Sequence, residues 1–462
     1  MHVGYGFDGS VRHARQFSRT DTSRPRCTPR RADVQHAGSA AGSAGYNAHV
    51  PTPLPLAVST STSVHDVRAD VQHLRTQCLE GGYVHVPFCS HKCHYCDFYS
   101  ITRQTPERMT RFVDLLLAEA RLWRDAHFQP AFRTLFFGGG TPSLLPLEPM
   151  RRLIEGLHAT FDLSALEEFT IEVNPATADL NYCRMLRDLG VNRLSFGAQS
   201  FDPAELASLE RHHDPADVTR SLDLARAAGF TRLSLDLIFA LPNQSMDAWM
   251  TNLEKAIELD TEHLSCYALT YEPNTPMGVQ HRLGRITGAP EELELAMLYA
   301  TRDRLAQVGY EAYEVSNFAR PGAACRHNLV YWRGGSYLAL GPSGAGHIAG
   351  TRLRNQPHLG KWEEAVAAGR LPAIDVEHLT PVQRLGERVM LGLRLAEGVP
   401  YVHHNLTSPD NPPAALDVRE VFARELAQLS DLKLIELHAE RFVLTRRGIA
   451  TADAVAAEFL GR

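Results

Sequence analysis

Three cysteines fall in one short loop, Cys89-Ser90-His91-Lys92-Cys93-His94-Tyr95-Cys96, directly after the apolar run Tyr83-Val84-His85-Val86. Thiolates at this C-x3-C-x2-C spacing suit a metal cluster. Each can take one iron of a cubane and leave the fourth iron without a protein ligand, whereas four cysteines would close every site. An open iron is where a ligand reacts, just as a catalytic zinc keeps a free position. The same residue types also allow a tetrahedral zinc site with His85, His91 or His94 as fourth ligand, and at this stage both readings stand. A disulfide framework fits less well: eight cysteines are spread over 462 residues, and reduced thiols in a reducing compartment are expected.

The loop needs a scaffold, and from Gly82 onward the pattern supplies one. Short β-rich apolar runs alternate with longer segments of helical period, as parallel βα units do. The strands are expected at Tyr83–Val86, Arg133–Phe137, Glu168–Val173, Asn192–Gly197, Arg232–Ile238 and His263–Leu269. Helices are expected between them at Pro106–Arg124, Leu147–Ala159, Asp179–Leu189, Pro215–Ala228 and Met246–Leu259. The fold class is therefore α/β, a partial (β/α)6 barrel, since eight units would close the standard one. The polar residues that stand out fall at carboxyl ends of these strands, where barrels build their sites.

The second strand ends in Gly138-Gly139-Gly140-Thr141-Pro142-Ser143, and glycines there let a ligand approach the backbone, although a plain tight turn would use them too. Glu172 ends the third strand. Its carboxylate suits ribose hydroxyls, or a solvated strand end. Gln199, Arg211 and Asp236 say little singly, because an Arg/Asp pair is often a structural ion pair.

Order and spacing carry the resemblance. The cysteine loop with an aromatic before its last cysteine resembles that of the radical S-adenosylmethionine (SAM) enzymes, and Gly-Gly-Gly-Thr-Pro-Ser resembles their motif for the methionyl ammonium group. The blocks from Asn192 to Phe201 and from Leu235 to Pro242 are similar to those of the oxygen-independent coproporphyrinogen III oxidase-like family, over roughly Gly82 to Arg462. The resemblance implies a [4Fe-4S] cluster on Cys89, Cys93 and Cys96 with SAM on the open iron. It implies cofactor contacts at Tyr83, Tyr95, Gly139, Gly140, Thr141, Glu172, Gln199, Arg211 and Asp236.

Two departures select a branch of that family. The oxidase carries a further cysteine where this chain has Phe98, and the sequence Cys96-Asp97-Phe98 is similar to the heme-chaperone branch instead. The element His327-Asn328-Leu329-Val330-Tyr331-Trp332 resembles that branch's H-N-x-x-Y-W, which is implicated in heme binding. A histidine offers a neutral nitrogen to heme iron and aromatics offer faces to the porphyrin, with Cys325 and His347 as further candidates. On composition alone, His327 and Trp332 would simply pack and hydrogen-bond at the barrel rim. The expected function is thus a heme chaperone holding heme, SAM and a [4Fe-4S] cluster and passing heme to an acceptor protein. The alternative is the oxidase itself, a coproporphyrinogen III dehydrogenase-type oxidoreductase of porphyrin biosynthesis, and whether the chain is an enzyme stays open.

Composition sets the outer bounds. The formal net charge is -6 and no basic stripe with interleaved aromatics emerges, so no nucleic-acid partner is expected. No apolar stretch is long enough to span a bilayer, which leaves peripheral membrane contact open and points to a cytoplasmic protein. Residues 1–75 are rich in Arg, Ser, Thr, Ala and Pro. They are expected to be disordered or a misannotated extension, with Arg-Ala-Asp-Val-Gln-His occurring at Arg31 and again at Arg68. The expected division continues with the barrel over 76–318, a heme-linked connecting region over 319–380, and a helix-rich, winged-helix-like C-terminal domain over 381–462.

Overall fold

A computed structural model describes Val71 and residues 78–126, 130–408 and 411–460. The expectation for residues 1–75 lies outside the described residues except at Val71. Six parallel strands form in chain order: β1 (Leu79–Val86), β2 (Pro130–Gly139), β3 (Glu168–Val173), β4 (Arg193–Gln199), β5 (Arg232–Phe239) and β6 (His263–Ala268). Between them run α1 (Pro106–Asp125), α2 (Leu147–Thr160), α3 (Leu180–Asp188), α4 (Pro203–Ser208), α5 (Pro215–Ala227) and α6 (Met246–Glu258). The α/β expectation holds.

Strand periodicity explains the layering. In β5, Leu233, Leu235 and Leu237 are buried in the apolar layer, while Ser234 and Asp236 alternate with them on the other face. Helix starts are written into the sequence as well. Thr105, Asp179 and Ser245 each accept a backbone N–H as N-caps, and Asp214 forms a capping box with Asp217 ahead of α5, with Pro215 in its first turn.

After α7 (Pro276–Arg282) and α8 (Glu291–Gln307), the sheet grows at both edges. Short β7 (Glu311–Ala312) and β8 (Asn317–Ala319) add antiparallel beyond β6. At the other edge β9 (Tyr337–Leu340) pairs parallel with β1, and β10 (Ala345–Ile348), β11 (Thr351–Asn355) and β12 (Ala373–His378) follow antiparallel. The region expected to be a heme-linked connection thus supplies four strands of one 12-stranded sheet. Helix α9 (Arg326–Trp332) contacts β1 and β2, and α10 (Leu359–Ala367) packs on α1.

The C-terminal part has its own apolar cluster, built on Leu385, Val389, Phe422, Leu426, Phe442 and Phe459. It contains α11 (Pro381–Gly392) and a small sheet in which β13 (Val399–Pro400) flanks a hairpin. That hairpin is β16 (Ile435–Leu437) with β17 (Arg441–Leu444), after α12 (Val418–Val421) and α13 (Ala423–Asp431) and before α14 (Arg446–Ile449) and α15 (Ala452–Ala457). A further hairpin, β14 (Val402–Ser408) with β15 (Asn411–Asp417), was not expected.

Candidate functional site

The cysteine loop leaves β1 and is closed at its base. Cys89 N–H donates to the Ile101 carbonyl at 3.0 Å and Ile101 N–H to the Pro87 carbonyl at 2.7 Å. The loop rests on Tyr95, Leu209, Ile238, Leu241, Leu269 and Met277, an apolar cluster against which Cys93 and Cys96 pack. Hydrophobic support of this kind holds the thiols in place and limits water around them.

One cavity gathers most of the residues named from sequence. Cys89, Cys93, Tyr95, Cys96, Gly139, Gly140, Thr141, Glu172, Gln199, Arg211 and Asp236 all line it, and so does Phe98. Gly140 N–H donates to the Val86 carbonyl at 2.8 Å and Thr141 N–H to Phe88 at 2.7 Å, which welds the end of β2 to the cysteine loop. A Cβ on Gly140 would stand 2.7 Å from the Phe88 carbonyl oxygen, so no side chain fits there. Gly139 has φ of +103° and backs onto the His85 ring, a conformation that favours glycine. Thr141 Oγ1 donates to Cys89 Sγ at 3.7 Å, and Arg211 Nη1 to Cys93 Sγ at 3.9 Å. The Arg211 guanidinium is fixed by Asn174 Oδ1 at 2.7 Å and the Gly197 carbonyl at 2.6 Å. Asp236 is buried and accepts from Ser195 Oγ at 3.3 Å.

Three observations test whether a cluster and a polar cofactor fit. Burial raises the Cys89 thiol, a hydrogen bond from Thr141 offsetting part of this, and pushes Cys96 up to about 12. Without metal these thiols stay protonated, and a soft metal takes them as thiolates with release of protons. Gln199 Oε1 and Arg211 Nε are buried without a hydrogen-bond partner, in residues that line this cavity. Buried polar atoms left unpaired are costly, so a polar ligand there has work to do. The three histidines that would complete a zinc site lie against other groups. His85 is buried, held down to about 4 by that burial, and donates Nε2–H to the Tyr99 carbonyl at 2.8 Å, while His91 and His94 face Glu210 at 3.2 and 4.0 Å. The residues present fit a three-cysteine cluster beside a polar cofactor.

Two expected residues lie apart from the cavity wall. Tyr83 sits in the barrel with its hydroxyl 3.3 Å from His85 Nδ1, its ring stacked on Phe136 at 6.4 Å. His327 stacks on the same Phe136 at 5.2 Å and is 0 % exposed. Its Nδ1 pairs with Thr134 Oγ1 and its Nε2 with the Tyr331 hydroxyl, both at 2.8 Å, and burial holds its pKa down to about 3. The packing role, weighed at first against heme contact, is the one this conformation displays, and it places His327 within the barrel instead of at its rim. Cys325 and His347 are buried too, the former donating to Glu168 Oε1 at 3.3 Å and the latter meeting the Gly335 carbonyl at 3.0 Å.

Glu168 is the residue that sequence reasoning missed. Its fully buried carboxylate accepts Arg232 at 3.0 Å, the Arg326 N–H at 3.1 Å and the His327 N–H at 3.0 Å. It thereby pins the start of α9 inside the barrel. A glutamate opening a strand carries no local mark of that task, because its partners lie 64 to 159 residues away.

Comparison with known proteins identifies the fold and the family. The pattern of the Radical SAM superfamily matches residues 83–256, and that of the HemN C-terminal domain matches residues 379–450. The coproporphyrinogen III oxidase HemN of Escherichia coli, a radical SAM enzyme, shares the fold, with a TM-score of 0.71 over 85% of this chain and 92% of that one at 24% identity. The heme chaperone HemW of Bacillus subtilis is 33% identical over 83% of this chain and 100% of its own. The radical SAM fold implies a [4Fe-4S] cluster and SAM. With the heme chaperone HemW of Mycobacterium tuberculosis 36% identical over 82% of this chain and 95% of its own, the chain belongs to the HemW family of the radical SAM superfamily.

Proposed function

We propose that this protein is a heme chaperone that binds heme and hands it to an acceptor protein in the cytoplasm. The carrying observation is the convergence of Cys89, Cys93, Cys96, the Gly139-Gly140-Thr141 turn, Glu172, Gln199, Arg211 and Asp236 on one cavity, in a chain whose relatives are named heme chaperones. Phe98 on the same cavity wall, where the oxidase branch has a further cysteine, supports this reading over coproporphyrinogen oxidation.

Cys89, Cys93 and Cys96 would hold the cluster, which supplies electrons to bound SAM. Gly139 and Gly140 give SAM access to backbone groups, and Thr141 orients Cys89 by its hydrogen bond. Glu172 and Asp236 offer carboxylates to hydroxyl or ammonium groups, while Gln199 offers the amide oxygen that is otherwise unpaired. Arg211 holds positive charge beside Cys93 and offsets part of the charge that gathers on three thiolates. Tyr95 and the apolar cluster beneath the loop exclude water. The division into a barrel over 76–318, a connecting region over 319–380 and a C-terminal domain over 381–462 is kept, with the strands of the connecting region joined to the barrel sheet. Heme binding in this reading rests on the family and not on His327, whose two ring nitrogens are already engaged.

The test is anaerobic heme titration of the cluster-loaded protein, followed by gel filtration and then transfer to an apo-hemoprotein. Retention of about one heme per chain that moves to the acceptor supports the proposal. No retained heme, with conversion of coproporphyrinogen III and 5′-deoxyadenosine formed in step, would establish the oxidase instead.

A further inference from the structure

On the wall of the cluster cavity itself, two loops bring a second set of donors together. His91 lies on the cysteine loop between Cys89 and Cys93, and Glu210 and His212 follow α4. One ligand atom from each lies within 4.8 Å of the other two. His91 Nε2 stands 3.2 Å and His212 Nε2 3.9 Å from the same oxygen, Glu210 Oε2, and His94 Nδ1 is 4.0 Å from Glu210 Oε1. His91 Nε2 is buried without a hydrogen-bond partner, and no hydrogen bond accounts for three imidazoles gathered on one carboxylate or for the His91 and His212 rings lying 4.3 Å apart between centroids.

The spacing is near that of coordination. Ligand bonds of about 2.0–2.2 Å in a tetrahedral zinc site place donor atoms about 3.4 Å apart, close to the 3.2 and 3.9 Å from the imidazoles to Glu210, and rotation of the exposed His212 ring would bring its nitrogen, within 4.8 Å of that of His91, to the same range. The carboxylate is held for the task. Glu210 takes a left-handed backbone with φ of +55°, between Leu209, which is fully buried, and Arg211, which is tied to Asn174 and the Gly197 carbonyl. A non-glycine residue kept in that region persists only where its surroundings enforce it, and such residues cluster at functional sites.

We propose that His91, Glu210 and His212 form a second metal site, distinct from the three cysteines, for a borderline divalent cation such as zinc or ferrous iron. Two imidazoles and a carboxylate suit these ions and leave a coordination position for water or for His94. The ion would fasten the cysteine loop to the segment that carries Arg211, and so brace the rim of the cluster cavity. This inference does not depend on heme binding.

The experiment titrates zinc alone into anaerobic protein, cluster-loaded for the wild type, Glu210→Gln and His212→Ala and cluster-free for Cys93→Ser, and measures zinc and iron after gel filtration. His212 is 66% exposed at its side chain, so its variant tests binding without a core defect. The expected result is about one zinc per chain, with affinity about 100-fold weaker in Glu210→Gln and His212→Ala and kept in Cys93→Ser. Cobalt(II) at the site should show visible ligand-field bands without a thiolate charge-transfer band. Ferrous iron competing with zinc at these residues supports the site and names the other cation. No zinc retained, equal retention in both ligand variants, or a thiolate band with cobalt would overturn the proposal. Those outcomes leave the heme reading untouched, just as failure of heme retention leaves this site untouched.

Discussion

Gly140→Ala probes the joint on which the cavity depends. The new Cβ would meet the carbonyl oxygens of Phe88 at 2.7 Å and Val86 at 2.8 Å, and the Pro87 carbonyl carbon at 2.9 Å. All three are backbone atoms of the segment leading into the cysteine loop, so no side-chain rotation relieves the contact. Ordinary contact begins at 3.4 Å, so the strand end and the loop must part by about 0.7 Å. That movement stretches the 2.8 Å bond from Gly140 to Val86 and the 2.7 Å bond from Thr141 to Phe88. Overpacking costs about 1–3 kcal/mol and the two weakened hydrogen bonds together about 1 kcal/mol, which gives about 2–4 kcal/mol against the geometry that binds SAM. At about 1.4 kcal/mol per tenfold, the dissociation constant for SAM should rise about 30- to 700-fold. Equilibrium dialysis of SAM against the anaerobic, cluster-loaded protein reads this directly, with iron content as the check on the cluster. Gly360→Ala is the control, since a Cβ there meets nothing within 4 Å. If Gly140→Ala kept its full cluster and bound SAM within about threefold of wild type, the steric argument would be refuted.

The buried network under α9 yields two predictions. Glu168→Gln leaves Arg232 and the α9 amides without their carboxylate and should lower stability by about 3 kcal/mol in urea unfolding, whereas a change under about 0.5 kcal/mol would deny its anchoring role. His327 is held at about 3, below the free imidazole value, so its contribution to stability is complete above about pH 6.5 and is lost as pH falls toward 3. His327→Gln should therefore lose stability on acidification less steeply than wild type, by about 1.4 kcal/mol per pH unit between about pH 6 and 4, in urea titrations of apoprotein. The same variant, if folded, should retain heme, and loss of heme from a folded His327→Gln would restore that residue as an iron ligand. Gln199→Leu removes the unpaired amide oxygen and should weaken SAM about tenfold, while unchanged affinity would show that this oxygen faces no cofactor atom.

The barrel was legible because its signals are local. Strands such as β3 and β4 alternate apolar residues with small or polar ones, and caps such as Thr105, Asp179 and Asp214 announce the helices of the barrel. The cavity was legible for the same reason: its residues lie in or just beyond the first five strands, so ordering the strands ordered the site. What stayed hidden depends on distant partners. The run Tyr337–Leu340 pairs with β1, more than 250 residues earlier, and Gly341 beside it reads as loop. The strand Asn411–Asp417 contains Pro412 and Pro413, which argue against a strand in any local reading. The type and neighbours of His327 suit heme, and nothing local shows that Thr134 and Tyr331 hold its ring and Glu168 its backbone.

In the proposed function, Cys89, Cys93 and Cys96 hold one cluster with an iron left open for SAM. Electron paramagnetic resonance of the anaerobically reduced protein, with and without SAM and beside its iron content, tests this most directly. About four iron per chain and a cluster signal that changes when SAM is added are expected, both lost in Cys93→Ser. Full iron content in Cys93→Ser, or a wild-type signal indifferent to SAM, would contradict it.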